Sequence, residues 1–318
     1  MILSDPKGPL HMTRTWSGPR SPDRLGAGNP LVYGSDAHAG WQHRWGLAML
    51  DLGDRISVYQ PEQAGLKFPR ELNTNDPAEL REHRKRHLVG ACRAFARWGL
   101  DYGFAGHLTI RDPEHPELYW TNPMAVHFAE VRLSSLILVD HDGRVVEGDY
   151  AVNRAGFVLH AAVHAEHPDI LAMCHAHTLY GSAYSAQGRP LAPITQDACQ
   201  FFEDHAVIRE ESGQVAVERG AGASIAPAFK GVRAAIHQNH GLFTVSRHSI
   251  DAAAFMFMAL ERCCQQQLMI EASGREPIEI PAEKARYSRE HVGSDYTAWL
   301  CFQTDYDHLV RTQPDMFD

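Results

Sequence analysis

The six cysteines, Cys92, Cys174, Cys199, Cys263, Cys264 and Cys301, contain no C-x-x-C pair. That absence argues against a structural zinc finger or a disulfide-stapled scaffold, and it fits a reducing compartment. Long apolar runs are missing as well. No segment approaches the ~18 residues that span a bilayer, and the first residues lack the apolar core of a secretory signal. A cytoplasmic protein with no membrane partner is expected. Positive charge is also in deficit, with 30 Lys and Arg against 39 Asp and Glu and a net charge of −9. Nucleic acid is not expected as a partner on these grounds, because phosphate backbones need clustered cations. The one basic run, REHRKRH at Arg81–His87, is short and reads as a solvated helix face.

What is present is enough chain for a substantial core. Of 318 residues, 44% are hydrophobic and 22% charged, as in ordinary globular proteins. Residues 1–66 are rich in Gly, Pro, Asp and Arg with little periodicity, and they read as a partly ordered N-terminal extension. Residues 67–318 read as one domain with a C-terminal helical tail. Asp76 is the expected cap of a helix in which Leu80, Leu88, Ala91, Phe95 and Trp98 recur at helical spacing, up to Gly99. GHLTIRD, LYWTN, SSLILVD and RVVEG read as short strands, with a hairpin turn at His141–Gly143. Helices are expected over NRAGFVLHAAVHAEHP, over LYGSAYSAQG and, capped by Ser249, over IDAAAFMFMALERCCQQQLMIEA. ILAMCHAH, GVRAAIHQNH and LFTVS read as strands. Strands and helices mixed without strict βαβ alternation predict one sheet sandwiched by helices.

Histidine is abundant, at 20 residues. His175 and His177 stand two apart behind an apolar run, and on a strand both would point to one face. His240 ends a later strand beside Gly241, a residue free to turn tightly. Three imidazoles with an open fourth position hold catalytic zinc or iron. The same spacing also serves packing and hydrogen bonding, and the residues alone leave both readings open. His160, His164 and His167 share a helix face without the Glu of H-E-x-x-H, so they read as packing or as support behind another site. His237 alternates away from the strand end and reads as structural. Glu203, Asp204 and His205 cluster in FFEDHAV, either as functional groups or as a capped, solvated turn.

PDILAMCHAH, QNHGLFTVS and the helix after them resemble the class II aldolase/adducin family. The similarity runs from about residue 68 to the C-terminus through GHLTIRDPE, LILVDHDG, NRAGFVLH, ITQDACQFFEDHAV and AWLCFQTDYDHL. It implies a three-layer α/β/α fold with a central mixed, largely antiparallel sheet. It also implies one divalent metal ion per chain, zinc or iron(II), on His175, His177 and His240, and a homotetramer with sites near subunit interfaces.

Departures from the family pattern bear on the reaction. Its sugar-phosphate aldolases carry an acid one helix before the H-x-H, a position that falls here on Gly156. The Asn and Gly of their phosphate clamp fall on His107 and Ala125. The metal ligands are kept while the acid and the phosphate cradle are not. The expected substrate is therefore a small carboxylate held by Arg154 and His107, since a guanidinium offers a carboxylate two parallel donors. Glu203 and His205 are the expected acid/base groups. The expected reaction is metal-dependent cleavage of a carbon–carbon bond next to a carbonyl, by retro-aldol chemistry or decarboxylation. AGHLTIRDP, NRAGFVLH and ITQDACQFFEDH also resemble a subgroup of non-haem iron oxygenases from aminocoumarin pathways. A second reading is thus an iron(II) oxygenase that oxidatively decarboxylates an aryl 2-oxo or 2-hydroxy acid. A third is a non-catalytic, adducin-like oligomerisation module.

Overall fold

The computed structural model describes residues 59, 61, 65–215 and 222–318. The expected extension over residues 1–66 lies outside them, apart from four residues near its end. Among the described residues no helix is long and apolar enough to cross a membrane.

Helix α1 (Pro77–Arg97) starts where the Asp76 carboxylate accepts from the Ala78 N–H at 3.0 Å and Pro77 takes a position with no helical donor to lose. Its Leu88, Val89, Cys92 and Phe95 are fully buried. The basic run is less solvated than its composition suggests. Arg81 grips Asp112 through two bonds of 2.7 and 2.9 Å, and His87 Nδ1 lies 2.6 Å from the buried Asp251 carboxylate. The helix packs on the rest of the domain along this stretch, so only part of it faces water.

Strands β1 (Gly106–Arg111), β2 (Tyr119–Thr121), β3 (Ile137–Val139) and β4 (Val145–Glu147) follow as a meander. The β3–β4 turn is the one expected: Asp140 accepts from the Asp142 and Arg144 N–H groups at 2.9 and 2.8 Å, and Gly143 takes φ +75°. Helix α2 (Arg154–Glu166) then leads to β5 (Ala172–Ala176), α3 (Leu179–Ser185), the single turn α4 (Gln196–Cys199) and β6 (His205–Ile208). Strands β7 (Ala234–His237) and β8 (Gly241–Ser246) precede three helices, α5 (Ile250–Ala272), α6 (Ala282–Val292) and α7 (Asp295–Thr312). Ser249 caps α5 by accepting from the Ala252 N–H, as its position predicts.

All eight strands form one sheet in the order β4-β3-β2-β1-β5-β8-β7-β6. Every pair is antiparallel except β6 with β7, so the sheet is mixed and largely antiparallel as expected. Alternation along the central strands divides its two faces. Leu108 and Ile110 of β1, Ala172, Cys174 and Ala176 of β5, and Leu242 of β8 join the main core with α1, α5 and α7. Met173 of β5 and Phe243 and Val245 of β8 turn the other way and pack with Leu159 and Val163 of α2. This is the three-layer α/β/α arrangement, with α2 on the face opposite the larger helical layer.

Ala125 is one of four non-glycine residues at positive φ among the described residues. Ala125, exposed after β2, sits at φ +61°, a region that costs an L-residue about 1–2 kcal/mol and glycine almost nothing. Part of that gain is offset by the larger entropy of an unfolded glycine. Ala125→Gly should therefore raise unfolding stability by roughly 0.5–1 kcal/mol, seen as a higher urea midpoint at unchanged m-value. A lower midpoint would show that the native loop relieves the strain by other means.

Candidate metal centre

Strand β5 carries His175 on its α2-facing side, 1% exposed and stacked on Phe243 with ring centroids 4.0 Å apart. Its Nδ1 lies 2.8 Å from the Leu242 carbonyl of β8. A carbonyl only accepts, so Nδ1 carries the proton and Nε2 is left with a free lone pair. His177 lies just past the end of β5, half-buried, with its backbone N–H on Ala105 O at 3.1 Å. The H-x-H pair thus straddles the strand end. The other strand expectation needs a similar correction. β7 stops at His237, and His240 belongs to the turn into β8, where Asn239 adopts φ +58°. Asn tolerates this left-handed conformation, which breaks the strand and swings His240 back. His240 N–H donates to His237 O at 3.1 Å, and the two rings stack at 4.8 Å. His237 is itself held by Glu210 O at 2.8 Å, the structural role expected for it.

These departures bring three imidazoles together. One ring nitrogen from each of His175, His177 and His240 lies within 4.8 Å of the others. Burial holds all three below the ordinary imidazole range, and His240 falls to about 3 with added repulsion from His177, His237 and His107. Neutral rings with lone pairs in common space are what a divalent ion requires.

A carboxylate on a distant helix fixes the chain that leaves His177. Thr178 provides no cap to α3. Instead Glu261 of α5 accepts from Thr178 Oγ1, Tyr180 N–H and Gly181 N–H at 2.5, 2.9 and 2.7 Å. It is 7% exposed, and burial raises its pKa despite the three donors. Nothing in the spacing around the Cys263–Cys264 pair pointed to Glu261, because its partners come from another part of the chain.

His107 completes the floor. It is the register partner of His175 across β1 and β5, with ring centroids 5.0 Å apart. Its Nδ1 meets His160 Nε2 of α2 at 3.1 Å, so the helix-face histidines stand behind it. A Cβ placed on Gly156 would fall 1.8 Å from His107 Nε2. The imidazole therefore occupies the volume into which any side chain at 156 would grow. A cavity of about 230 Å³ opens over these groups, with Asn153, Phe104 and Val215 among its walls. Arg154 is exposed at the first turn of α2, between Asn153 and Ala155 of the cavity wall. Among the described residues it has no ion-pair partner.

Glu203 and His205 are not brought to this cavity. β6 is the edge strand, separated from β5 by β8 and β7. Glu203 is exposed and binds Arg286 at 2.7 and 3.1 Å. His205 has spent both ring nitrogens, donating from Nδ1 to Phe201 O at 2.7 Å and accepting from Leu191 N–H at 3.0 Å. Asp204 pairs with Arg233. Within the chain this segment is a capped and paired turn, remote from the three imidazoles.

Similarity to known proteins identifies the family and the fold. The model of the class II aldolase and adducin N-terminal domain matches residues 86–268. Decarboxylase NovR of Streptomyces niveus is 44% identical over 242 residues, covering 75% of this chain and 88% of that protein. The 4-hydroxy-3-prenylphenylpyruvate oxygenase/4-hydroxy-3-prenylbenzoate synthase of Streptomyces roseochromogenus subsp. oscitans is 44% identical over 243 residues, covering 75% and 86%. Among solved structures, L-fuculose 1-phosphate aldolase from Glaciozyma antarctica PI12 aligns with a TM-score of 0.72 at 35% identity, over 78% of this chain and 97% of that one.

The contact between positions 156 and 107 is open to a double-mutant cycle. Gly156→Ala should destabilise by about 1–3 kcal/mol, because the methyl group drives the pinned ring out of place. His107→Ala in the same chain should recover at least ~1 kcal/mol of that loss, which unfolding curves of the four proteins will resolve. Additive effects would mean that the ring and the methyl group do not compete.

Proposed function

Because the chain belongs to the class II aldolase and adducin family, we propose that it is a metal-dependent enzyme cleaving a carbon–carbon bond next to a carbonyl, by retro-aldol chemistry or decarboxylation, in a small carboxylate. The observation that carries this reading is the convergence of His175, His177 and His240 under an open cavity. Three neutral imidazoles fit a divalent ion that keeps a coordination position for substrate. A bound ion would supply Lewis acidity, drawing electron density from the substrate carbonyl. Both zinc and iron(II) accept this donor set, and the reading has one such ion per chain.

The chain's own residues do the rest. The Leu242 carbonyl orients His175, and Glu261 anchors the segment that follows His177. Phe104, Leu159 and Val215 give the cavity an apolar side that suits a substrate with an apolar or aromatic part. Arg154 takes the carboxylate at the cavity edge, helped by the positive end of α2. His107 makes the second polar contact. We place the enzyme in the cytoplasm as a homotetramer, with residues 1–66 as an extension to a domain spanning 67–318.

An iron(II) oxygenase acting on an aryl 2-oxo or 2-hydroxy acid is the second reading. It is favoured by the glycine at 156, which leaves three imidazoles without a carboxylate ligand, and by the oxygenase name of one relative. A non-catalytic oligomerisation module ranks third, since it has no use for the three converging rings.

His177→Ala should lower bound metal from about one ion per chain to near zero, by elemental analysis of protein purified anaerobically. Full occupancy in that variant would sink the site. Turnover on a panel of 2-oxo and 2-hydroxy acids should exceed turnover on fuculose-, ribulose- and rhamnulose-type phosphates. An oxygen electrode run on zinc- and iron-loaded samples separates the first two readings. The lyase works without oxygen, whereas the oxygenase works only with iron and consumes one O₂ per bond broken.

A further inference from the structure

Behind His107 runs a buried polar chain that the proposed chemistry has not used. Thr109 of β1 and His160 and His164 of α2 are at most 1% exposed, and His107 is 7% exposed. His107 Nδ1 lies 3.1 Å from His160 Nε2, and His160 Nδ1 lies 2.8 Å from Thr109 Oγ1. Thr109 Oγ1 lies 2.9 Å from His164 Nε2, and His164 Nδ1 lies 3.3 Å from the Ile170 carbonyl. Each ring nitrogen except His107 Nε2 has one partner inside this chain. Buried polar groups are rarely left unpaired, so the protons have to be arranged consistently from end to end.

The far end sets the direction. Arg111 Nη2 lies 3.4 Å from His164 Nδ1, but its two protons also reach the carbonyls of His164 at 2.9 Å and His167 at 3.4 Å, and the nearer neighbour of Nδ1 is the Ile170 carbonyl at 3.3 Å. Ile170 O has two lone pairs, one taken by Arg111 Nε at 3.2 Å and the other facing His164 Nδ1. A carbonyl only accepts, so the proton sits on His164 Nδ1 and the lone pair on Nε2. Thr109 then donates its hydroxyl proton to His164 and accepts from His160 Nδ1–H. His160 Nε2 is bare and accepts from His107 Nδ1–H. The last lone pair is left on His107 Nε2, at the cavity floor where Gly156 makes room for it.

We propose that the chain His164–Thr109–His160 fixes the tautomer of His107, so that an unprotonated Nε2 faces the cavity as a standing acceptor for a donor group on the substrate. His107 is then the substrate-contacting residue, and His160, Thr109 and His164 are positioning residues that act through it. The role of Nε2 rests on the proposed function, whereas the proton arrangement is a property of the folded chain with or without turnover.

Neutron diffraction from crystals of the perdeuterated protein reads that arrangement directly. The expected result is deuterium on Nδ1 and none on Nε2 in each of His107, His160 and His164. Deuterium on Nε2 of His107 or His160 overturns the proposal, even if the enzyme proves to be a lyase. Thr109→Val keeps the shape of the side chain and removes the relay hydroxyl. It should lower kcat/KM for whichever carboxylate the panel identifies about tenfold at unchanged bound metal, the equivalent of one hydrogen bond of ~1.4 kcal/mol. Thr109→Ser restores the hydroxyl and should recover the loss. A Thr109→Val protein with the wild-type deuterium pattern would equally overturn the relay. If the panel yields no substrate, the proposed function fails while the neutron map still decides this proposal.

Discussion

The pairing of β1 with β5, in the register that sets His107 opposite His175, is the constraint on which the rest depends. Side chains alternate along both strands, so this register sends Leu108, Ile110, Cys174 and Ala176 to the α1–α5–α7 core. The same register sends His107, Thr109 and His175 to the face under α2. A slip of one residue would exchange the two sets. Imidazoles would enter an apolar core without partners, at about 1–3 kcal/mol for each unsatisfied group, and the core would lose its aliphatic side chains to a polar layer. The site and the core are thus specified by one pattern.

Two helix starts then turn that pattern into a cavity. Asn153 opens α2, accepting from the Gly156 N–H at 3.4 Å, and this start carries Arg154 and the glycine that admits His107. Glu261 does the corresponding service for α3 from outside the helix. A carboxylate buried to this degree is costly alone, and three donors from the α3 start offset the cost. The segment after His177 is thereby tied to α5, the longest helix of the domain. Glu261 thus couples the backbone beside His177 to the main core.

Much of this was legible in the sequence, for identifiable reasons. Local signals placed the Asp76 and Ser249 caps, the HDG turn and the period-two strands, because each depends on neighbours in the chain. H-x-H and N-H-G marked the three imidazoles, although the strand ends lay a residue or more away from where the pattern put them. The acidic cluster at Glu203–His205 was less informative. Composition alone does not distinguish a charged turn that faces a cavity from one that pairs with Arg286 and Arg233. Glu261 and Thr109 were invisible for a related reason, since their partners lie on other elements and meet them only after folding. His160 and His164 were visible as one helix face, but only the structure supplies the hydroxyl between them.

The shared volume of Gly156 and His107 has a consequence for how such sites change over time. A side chain at 156 and an imidazole at 107 exclude each other. Exchanging an acid for an imidazole is therefore not a path of independent steps. Adding the acid first produces a clash, and removing the imidazole first opens a hole beneath the three converging imidazoles and strands a buried hydrogen-bond chain. An intermediate with small residues at both positions avoids the clash and carries that hole instead. A hybrid that grafts only one of the two positions inherits either the clash or the hole.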